Sequence, residues 1–149
     1  MNTMQYASEE SLGFMTFTAH RLLASTLRRR MKEAGIDLTS EQWGVLVLLW
    51  GRGSATQDEL AQAACVDKSS MSRVLSLMED RGLVTRRTDP DNERRKLICA
   101  AEGSLALRER GFAVAGGALQ FALEGVTPDE AAVCMKVLAA IKNNLSASR

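Results

Sequence analysis

Residues 68–80 alternate apolar and polar side chains with the period of an α-helix. The apolar side chains recur at i, i+3, i+4 and i+7 and share one face: Met71, Val74, Leu75 and Met78. The opposite face carries three small hydroxyls and one arginine: Ser69, Ser72, Arg73 and Ser76. A solvated helix face more often carries Glu and Lys. A slim face that donates and accepts hydrogen bonds suits a DNA major groove, where it can reach phosphates and base edges.

Hydrophobic periodicity and helix-start signals along the chain predict six helices and two strands. Three helix starts carry a capping box, in which a threonine is followed three positions later by Glu or Gln: Thr39 with Gln42, Thr56 with Glu59, and Thr127 with Glu130. Asp67 is a simpler N-cap for the serine-rich helix. The predicted helices cover residues 8–34, 40–50, 57–64, 68–81, 102–123 and 128–145, and the predicted strands cover residues 83–88 and 95–99.

Helices 57–64 and 68–81 and the two strands after them form one predicted unit. Only three residues separate the helices, and small Ala61 lets them cross closely, so they predict a helix-turn-helix. The strands flank a turn and carry several arginines, which predicts a wing whose guanidinium groups suit the negative potential of a minor groove. A solvated surface hairpin is the alternative, since mixed charge is common on such hairpins.

The helix of residues 40–50 is apolar on nearly every side, so we expect it at the centre of the core. Its tryptophans, Trp43 and Trp50, and the only histidine, His20, are candidates for lining a ligand pocket. The alternative is that they pack in the core or at its edge, which is the more common situation for such side chains.

The terminal helices carry more apolar surface than one small core can cover. The helix of residues 128–145, for example, has one apolar stripe: Ala131, Cys134, Met135, Leu138 and Ile141. Apolar stripes that the core of one chain leaves uncovered usually contact a second subunit. We therefore expect a homodimer, with a monomeric helical cap as the alternative.

A chain of 149 residues with 46% hydrophobic content can bury one core, so one domain over residues 1–149 is expected. Within it we assign residues 38–100 to the winged helix-turn-helix, and residues 8–35 and 102–146 to dimerisation helices. The fold class is mainly α. The net charge is only +1, but residues 68–101 hold eight basic and five acidic side chains. The positive field is therefore local to the predicted DNA-binding part.

Several classes of protein are disfavoured by what the sequence lacks. The three cysteines, Cys65, Cys99 and Cys134, are far apart and form no CxxC or Cys/His cluster, so neither a disulfide framework nor a metal site is expected. No cofactor motif occurs. Neither a signal peptide nor an apolar run of about 18 residues is present, so we expect a cytoplasmic protein with no membrane partner.

Five segments in order resemble the MarR family of bacterial winged-helix regulators, and the resemblance covers almost the whole chain. They are residues 38–43 (LTSEQW), 57–61 (QDELA), 66–73 (VDKSSMSR), 79–86 (EDRGLVTR) and 89–94 (DPDNER). The resemblance implies a homodimer with interlocked terminal helices and two winged modules that read a palindromic operator. It also implies that small ligands, often phenolic or aromatic, or oxidants tune the affinity for DNA.

Three positions depart from the family pattern. The usual Asp-x-Arg of the wing is Asn92-Glu93-Arg94, so Arg94 is matched but its partner is an amide, which Asp91 or Glu93 could replace. Alanines at 100 and 101 replace the usual Leu-Thr, which weakens the predicted start of the helix at residue 102. Cys65 stands where the turn often has glycine.

We therefore expect a sequence-specific, DNA-binding transcriptional repressor whose partners are double-stranded DNA, a second copy of the chain and a small aromatic ligand. The predicted DNA contacts are Lys68, Ser69, Ser70, Ser72, Arg73 and Ser76 in the helix, and Arg86, Arg94 and Arg95 in the wing.

Three other functions have less support in the sequence. A thiol switch at Cys65 is the main alternative. An enzyme is not expected, because the chain has one histidine and no nucleophile–base pattern. A winged helix that binds protein is disfavoured by the Ser/Arg face.

Overall fold

The computed structural model describes residues 8–147 as a mainly helical fold with one three-stranded antiparallel sheet. The helices are α1 (Leu12–Glu33), α2 (Ser40–Arg52), α3 (Gln57–Ala64), α4 (Lys68–Asp80), α5 (Glu102–Ala122) and α6 (Pro128–Ser146). The strands are β1 (Ser54–Ala55), β2 (Val84–Asp89) and β3 (Asn92–Ala100), in the sheet order β1-β3-β2. The predicted mainly α, winged helix-turn-helix fold is confirmed.

Side chains at the N-termini determine where the helices begin. All three predicted capping boxes are present, with each threonine and its Glu or Gln bonded to the other's backbone N–H. At α1 the hydroxyl of Ser11 accepts from the backbone N–H of Phe14, so the helix begins four residues later than predicted. At α5 the N-cap position is Ala101, which has no side-chain cap, as the departure from Leu-Thr implies.

The sheet is longer than the sequence predicts. Strand β3 begins three residues early, because an irregularity between Thr88 and Asp89 lets the hairpin pairing continue to Asp89 and Asn92. Strand β1 was not predicted at all. Its two residues pair with Cys99 and Ile98 of β3, and so short a strand shows no period from which it could be recognised.

Helix α2 is the centre of the core, as expected from its apolar sequence. Val45, Leu46 and Leu49 are buried in it. Other elements each bury a large apolar side chain in the same cluster: Met31 of α1, Leu60 of α3, Leu75 and Met78 of α4, and Ile98 of β3. Complete burial of one such side chain contributes about 1.5–3 kcal/mol. The helix-turn-helix and the wing are therefore mounted on one packed core.

The turn between α3 and α4 contains the one non-glycine residue with positive φ in residues 8–147. Cys65 has φ 54° and ψ 38°, which is the left-handed conformation that glycine adopts without strain. The backbone N–H of Val66 donates to the carbonyl of Ala61 at 3.0 Å and closes the end of α3. The cysteine therefore occupies the backbone conformation expected of a glycine at this position.

The long helices are covered only in part. Helix α1 packs along α5, and Arg110 of α5 donates to the carbonyl of Ala34 at 2.6 Å. The guanidinium of Arg30 also lies over the ring of Phe121, 5.1 Å from its centroid. Helix α6, by contrast, has no buried residue among those described. Its apolar stripe is exposed, including Met135 and Leu138.

One glycine sets the distance between α5 and α2. A Cβ atom at Gly111 would overlap the ring of Trp43 and lie 2.7 Å from its Cη2 atom. Trp43 is buried, so its ring has no free space into which it can move. The absence of a side chain at Gly111 is what lets α5 approach the core helix.

Substitution of this glycine should therefore destabilise the protein. We expect Gly111→Ala to lower the free energy of unfolding by about 1–3 kcal/mol, because an extra methyl group forces the ring or the helix to shift. Gly116→Ala is the matched control, since nothing lies within 4 Å of a Cβ there and alanine favours the helix. Urea unfolding at equal protein concentrations measures both variants. An unchanged stability of Gly111→Ala would contradict the proposed role of this contact.

Candidate nucleic-acid interface

Helix α4 has the two faces that its sequence predicts. Met71, Leu75 and Met78 are buried against the core, whereas Ser69, Arg73 and Ser76 are exposed on the other side. Ser72 and Val74 lie between these faces and are half-buried. Leu77, which the sequence reading did not single out, is 52% exposed on this outer side. The polar face is therefore held outward by the burial of the opposite one.

Asp67 organises the beginning of α4. Its carboxylate accepts from the backbone N–H of Ser70 at 2.7 Å and from the hydroxyls of Ser69 and Ser70 at 2.7 and 3.0 Å. The Ser69 hydroxyl and the backbone N–H of Ser70 are the main groups that lower the pKa of Asp67 to about 2. Both serines thus donate to Asp67, which leaves their oxygens as acceptors, whereas Ser72 and Ser76 have no side-chain bond among residues 8–147.

Six cations of this surface fall into two groups of three. Three of the predicted DNA contacts are paired with acidic side chains: Lys68 with Asp58 at 3.3 Å, Arg86 with Glu79 at 3.0 Å, and Arg95 with Glu59 at 2.8 Å. Three arginines have no side-chain partner in the described part of the chain: Arg73, Arg87 and Arg94. Arg87 was missed by the sequence reading, because nothing in the strand pattern distinguishes a paired arginine from an unpaired one.

The turn of the wing is organised by Asp89. Its buried carboxylate accepts from the backbone N–H of Asp91 at 2.9 Å, and its other oxygen lies 3.7 Å from Nε of Arg95. Asn92 accepts from the backbone N–H of Arg94 at 3.1 Å and does not contact its guanidinium. Within residues 8–147 neither Asp91 nor Glu93 pairs with that guanidinium, so Arg94 extends from the wing without a carboxylate partner.

A second candidate site lies where α2 meets α5. The rings of Trp43, Trp50 and Phe112 form one aromatic cluster, with centroids 5.2 to 5.7 Å apart. Nε1 of Trp50 is buried and has no hydrogen-bond partner within residues 8–147. Phe112 also borders an open groove of about 540 Å³, which Leu105, Arg108 and Glu109 line with it. The structure thus brings both predicted tryptophans together, but as packed side chains of the core, and neither of them lines the groove.

His20, the third residue predicted for the pocket, is exposed on α1 and takes no part in the ring contacts described above. Phe112 was missed, because the pairing of α5 with α2 depends on tertiary packing.

The structure gives little support to a thiol site, a metal site or a membrane span. Cys65, Cys99 and Cys134 are free thiols, and Cys65 is exposed. Among the described residues no three His, Cys, Asp or Glu side chains are grouped as a metal would require. In the same part of the chain, no helix combines the length and the apolar character needed to cross a bilayer.

Comparison with known proteins agrees with this geometry. Residues 38–96 match the model of the MarR family. The chain is 30% identical over 103 residues to the HTH-type transcriptional regulator FarR of Neisseria gonorrhoeae, over 68% of each chain. It is 25% identical over 108 residues to the organic hydroperoxide resistance transcriptional regulator of Bacillus subtilis, over 72% of each chain.

The structure of CouR from Rhodococcus jostii, bound to p-coumaroyl-CoA, superposes with a TM-score of 0.81 at 25% identity. The match covers 90% of this chain and 93% of CouR. These similarities agree with the fold and with the arrangement of α4 and the wing. The chain belongs to the MarR family of DNA-binding transcriptional regulators, which are not enzymes.

Proposed function

We propose that this regulator is a repressor that binds a palindromic operator as a homodimer, and that a small aromatic ligand weakens its binding. Residues 38–100 are the DNA-binding module, and residues 8–35 and 102–146 are the dimerisation helices. The observation that carries the proposal is the outer face of α4, where small serines surround an exposed Arg73 that has no side-chain partner in the described part of the chain. A dimer bound to an operator that overlaps a promoter represses, because it blocks access to that DNA.

The α4 face supports entry into a major groove. Arg73 is near the middle of the polar face, and its guanidinium can donate two parallel hydrogen bonds to the acceptors of guanine. The serine hydroxyls on either side add little width, so the helix backbone can approach the bases closely. Exposed Leu77 adds an apolar group that can contact a thymine methyl.

The wing supports a contact with the neighbouring minor groove. Arg94 is exposed near the turn of the β2–β3 hairpin and has no carboxylate partner within residues 8–147. Arginines at such tips respond to the width and the negative potential of the groove more than to base identity. Arg73 and Arg94 should therefore contribute to binding in different ways.

The two arginines can be separated by mutation. We expect Arg73→Ala to weaken operator binding by about 1–3 kcal/mol and to relax the preference at one base pair. Arg94→Ala should weaken binding across many sequences and reduce the slope of log K against log salt by about 0.9. Lys142→Ala, which removes one positive charge from exposed α6, is the matched control. Gel shifts at several salt concentrations measure all three variants, and full operator affinity in Arg73→Ala would contradict the groove assignment.

The dimer is supported by the total surface that one chain leaves exposed and by the apolar side chains on it. The chain exposes 10652 Å², whereas a compact monomer of this mass exposes about 7,500 Å². Most of the exposed large apolar side chains lie on the terminal helices, including Phe14 and Phe17 of α1, Leu119 of α5 and Leu138 of α6. Stable dimers bury about 2,000–5,000 Å² in total, which such an excess can supply.

The ligand is proposed for the cluster of Trp43, Trp50 and Phe112. Its rings provide an apolar wall, and the unpartnered Nε1 of Trp50 is a donor whose burial costs about 1–3 kcal/mol until an acceptor satisfies it. Arg108 beside Phe112 can receive a carboxylate. The ligand of CouR, p-coumaroyl-CoA, carries an aromatic acyl group, which supports the same ligand class for this chain.

Binding of a ligand at this cluster should be measurable through tryptophan fluorescence. We expect an aromatic carboxylate such as 4-hydroxybenzoate to quench tryptophan fluorescence and to weaken operator binding, and DNA to weaken ligand binding by the same factor. Trp50→Phe should reduce the affinity for the ligand, because it removes Nε1, and Trp43 remains as the reporter. Quenching without any change in operator affinity would show that the cluster is not coupled to DNA binding.

The thiol switch at Cys65 stays the alternative. The exposure of Cys65 in the turn before α4, and the hydroperoxide-resistance regulator among the relatives, are its only support. The Cys65 thiol contacts the carbonyl of Gln62 at 3.7 Å. The aromatic cluster supplies a more specific site, so the ligand hypothesis is preferred.

A further inference from the structure

Arg95 differs from the unpaired arginines of the wing, because it lies between two carboxylates from different elements. Nη2 of Arg95 lies 2.8 Å from Glu59 of α3, and Nε lies 3.7 Å from Asp89 at the wing turn. We propose that Arg95 is a positioning residue, which holds the wing against the beginning of α3, and is not the DNA contact that the sequence predicts. The proposal rests on the proposed function, in which the wing enters a minor groove.

Glu59 is a fixed anchor for this contact. Its Oε2 accepts from the backbone N–H of Thr56 at 2.7 Å as part of the capping box, while its Oε1 receives Arg95. One carboxylate thus closes the first turn of α3 and contacts the wing. The backbone N–H of Thr56, followed by the charge of Arg95, keeps the pKa of Glu59 below its ordinary value, so the carboxylate stays ionised near neutral pH.

Asp89 also stabilises Arg95 in this position. The side chain of Asp89 is only 12% exposed, and its Oδ1 is already used by the backbone N–H of Asp91 in the turn. A buried carboxylate without a cation is costly. If Arg95 moved to a phosphate, it would leave both Asp89 and Glu59 without a cation.

The contact also determines where Arg94 points. The pairing of the hairpin steps from Thr88–Lys96 to Asp89–Asn92, so Arg94 and Arg95 are neighbours in an irregular stretch of β3 without cross-strand partners, and a fixed Arg95 restricts Arg94. Arg95 contacts Glu59 of α3 there, whereas the guanidinium of Arg94 has no side-chain partner within residues 8–147. On β2, the pair of Arg86 with Glu79 of α4 is a second link between the wing and the helix-turn-helix. The acidic side chains thus fix the angle at which Arg94 is presented.

The substitution Glu59→Gln distinguishes this role from a direct contact by the sign of its effect. Glutamine serves the same capping position in α2, where Gln42 completes the box with Thr39, so the cap of α3 is retained. If Arg95 bound DNA, the substitution would free its guanidinium and remove a negative charge near the phosphates, and affinity would rise. If Arg95 positions the wing, affinity for the selected operator should fall, by roughly two- to fivefold for an exposed ion pair.

Two variants calibrate this test. Asp58→Asn removes a neighbouring negative charge that pairs with Lys68 and should not lower affinity. Glu130→Gln makes the same change in the capping box of α6, where glutamine still accepts from the N-cap N–H, and should leave affinity unchanged when it is compared at equal concentrations of dimer. The double variant Glu59→Gln with Arg95→Ala should bind no more weakly than Arg95→Ala alone, because the two residues act through one contact. Equal or tighter DNA binding by Glu59→Gln would overturn the proposal.

Hydrogen exchange of the free protein separates this proposal from the proposed function. The backbone amides of β2 and β3 should exchange faster in Glu59→Gln than in the wild type, and the two control variants should show no such change. Unchanged exchange in Glu59→Gln would overturn the positioning role even if the protein binds DNA. Failure of the wild type to bind any duplex would overturn the proposed function and leave the exchange result as the measure of the wing contact.

Discussion

The DNA-binding part of this protein depends on the burial of α2. Because α2 is apolar on nearly every side, other elements must cover it, and Leu60, Leu75 and Ile98 do so from α3, α4 and β3. Each of these elements buries one face against α2, so its opposite face points outward. The polar face of α4 is outward for this reason, and the position of the wing follows from the pairing of β3 with β1 next to the same core.

The core places the elements of the candidate interface, and acidic side chains then pair with some of the cations on them. Asp58, Glu59 and Glu79 each pair with a cation of the candidate interface, while Arg73 and Arg94 have no such partner in residues 8–147. A low net charge is compatible with DNA binding, since Glu79 and Glu59 pair with cations of the wing while Arg73 and Arg94 have no acidic partner within residues 8–147. On the opposite side of α2, Gly111 lets α5 approach Trp43, so the terminal helices and the DNA-binding elements share one aromatic contact.

Local signals in the sequence predicted most of the fold. The capping boxes at Thr39, Thr56 and Thr127 and the period of α4 depend on residues three or four positions apart, so they are legible without tertiary information. Strand β1 and the role of Phe112 could not be predicted, because each depends on a partner more than forty residues away in the chain. The division of the wing arginines into paired and unpaired also depends on such partners, since Glu59 and Arg95 are 36 residues apart.

Selection of bound sites from random duplex DNA tests the central claim most directly, because it examines DNA binding, symmetry and dimer geometry together. Two α4 helices related by a twofold axis should enrich inverted repeats whose half-site centres lie about 10 base pairs apart, with A·T preference where the wings reach the minor groove. Enrichment of a single half-site without a repeat would contradict the dimeric reading of DNA. No enrichment at all would contradict the role assigned to α4.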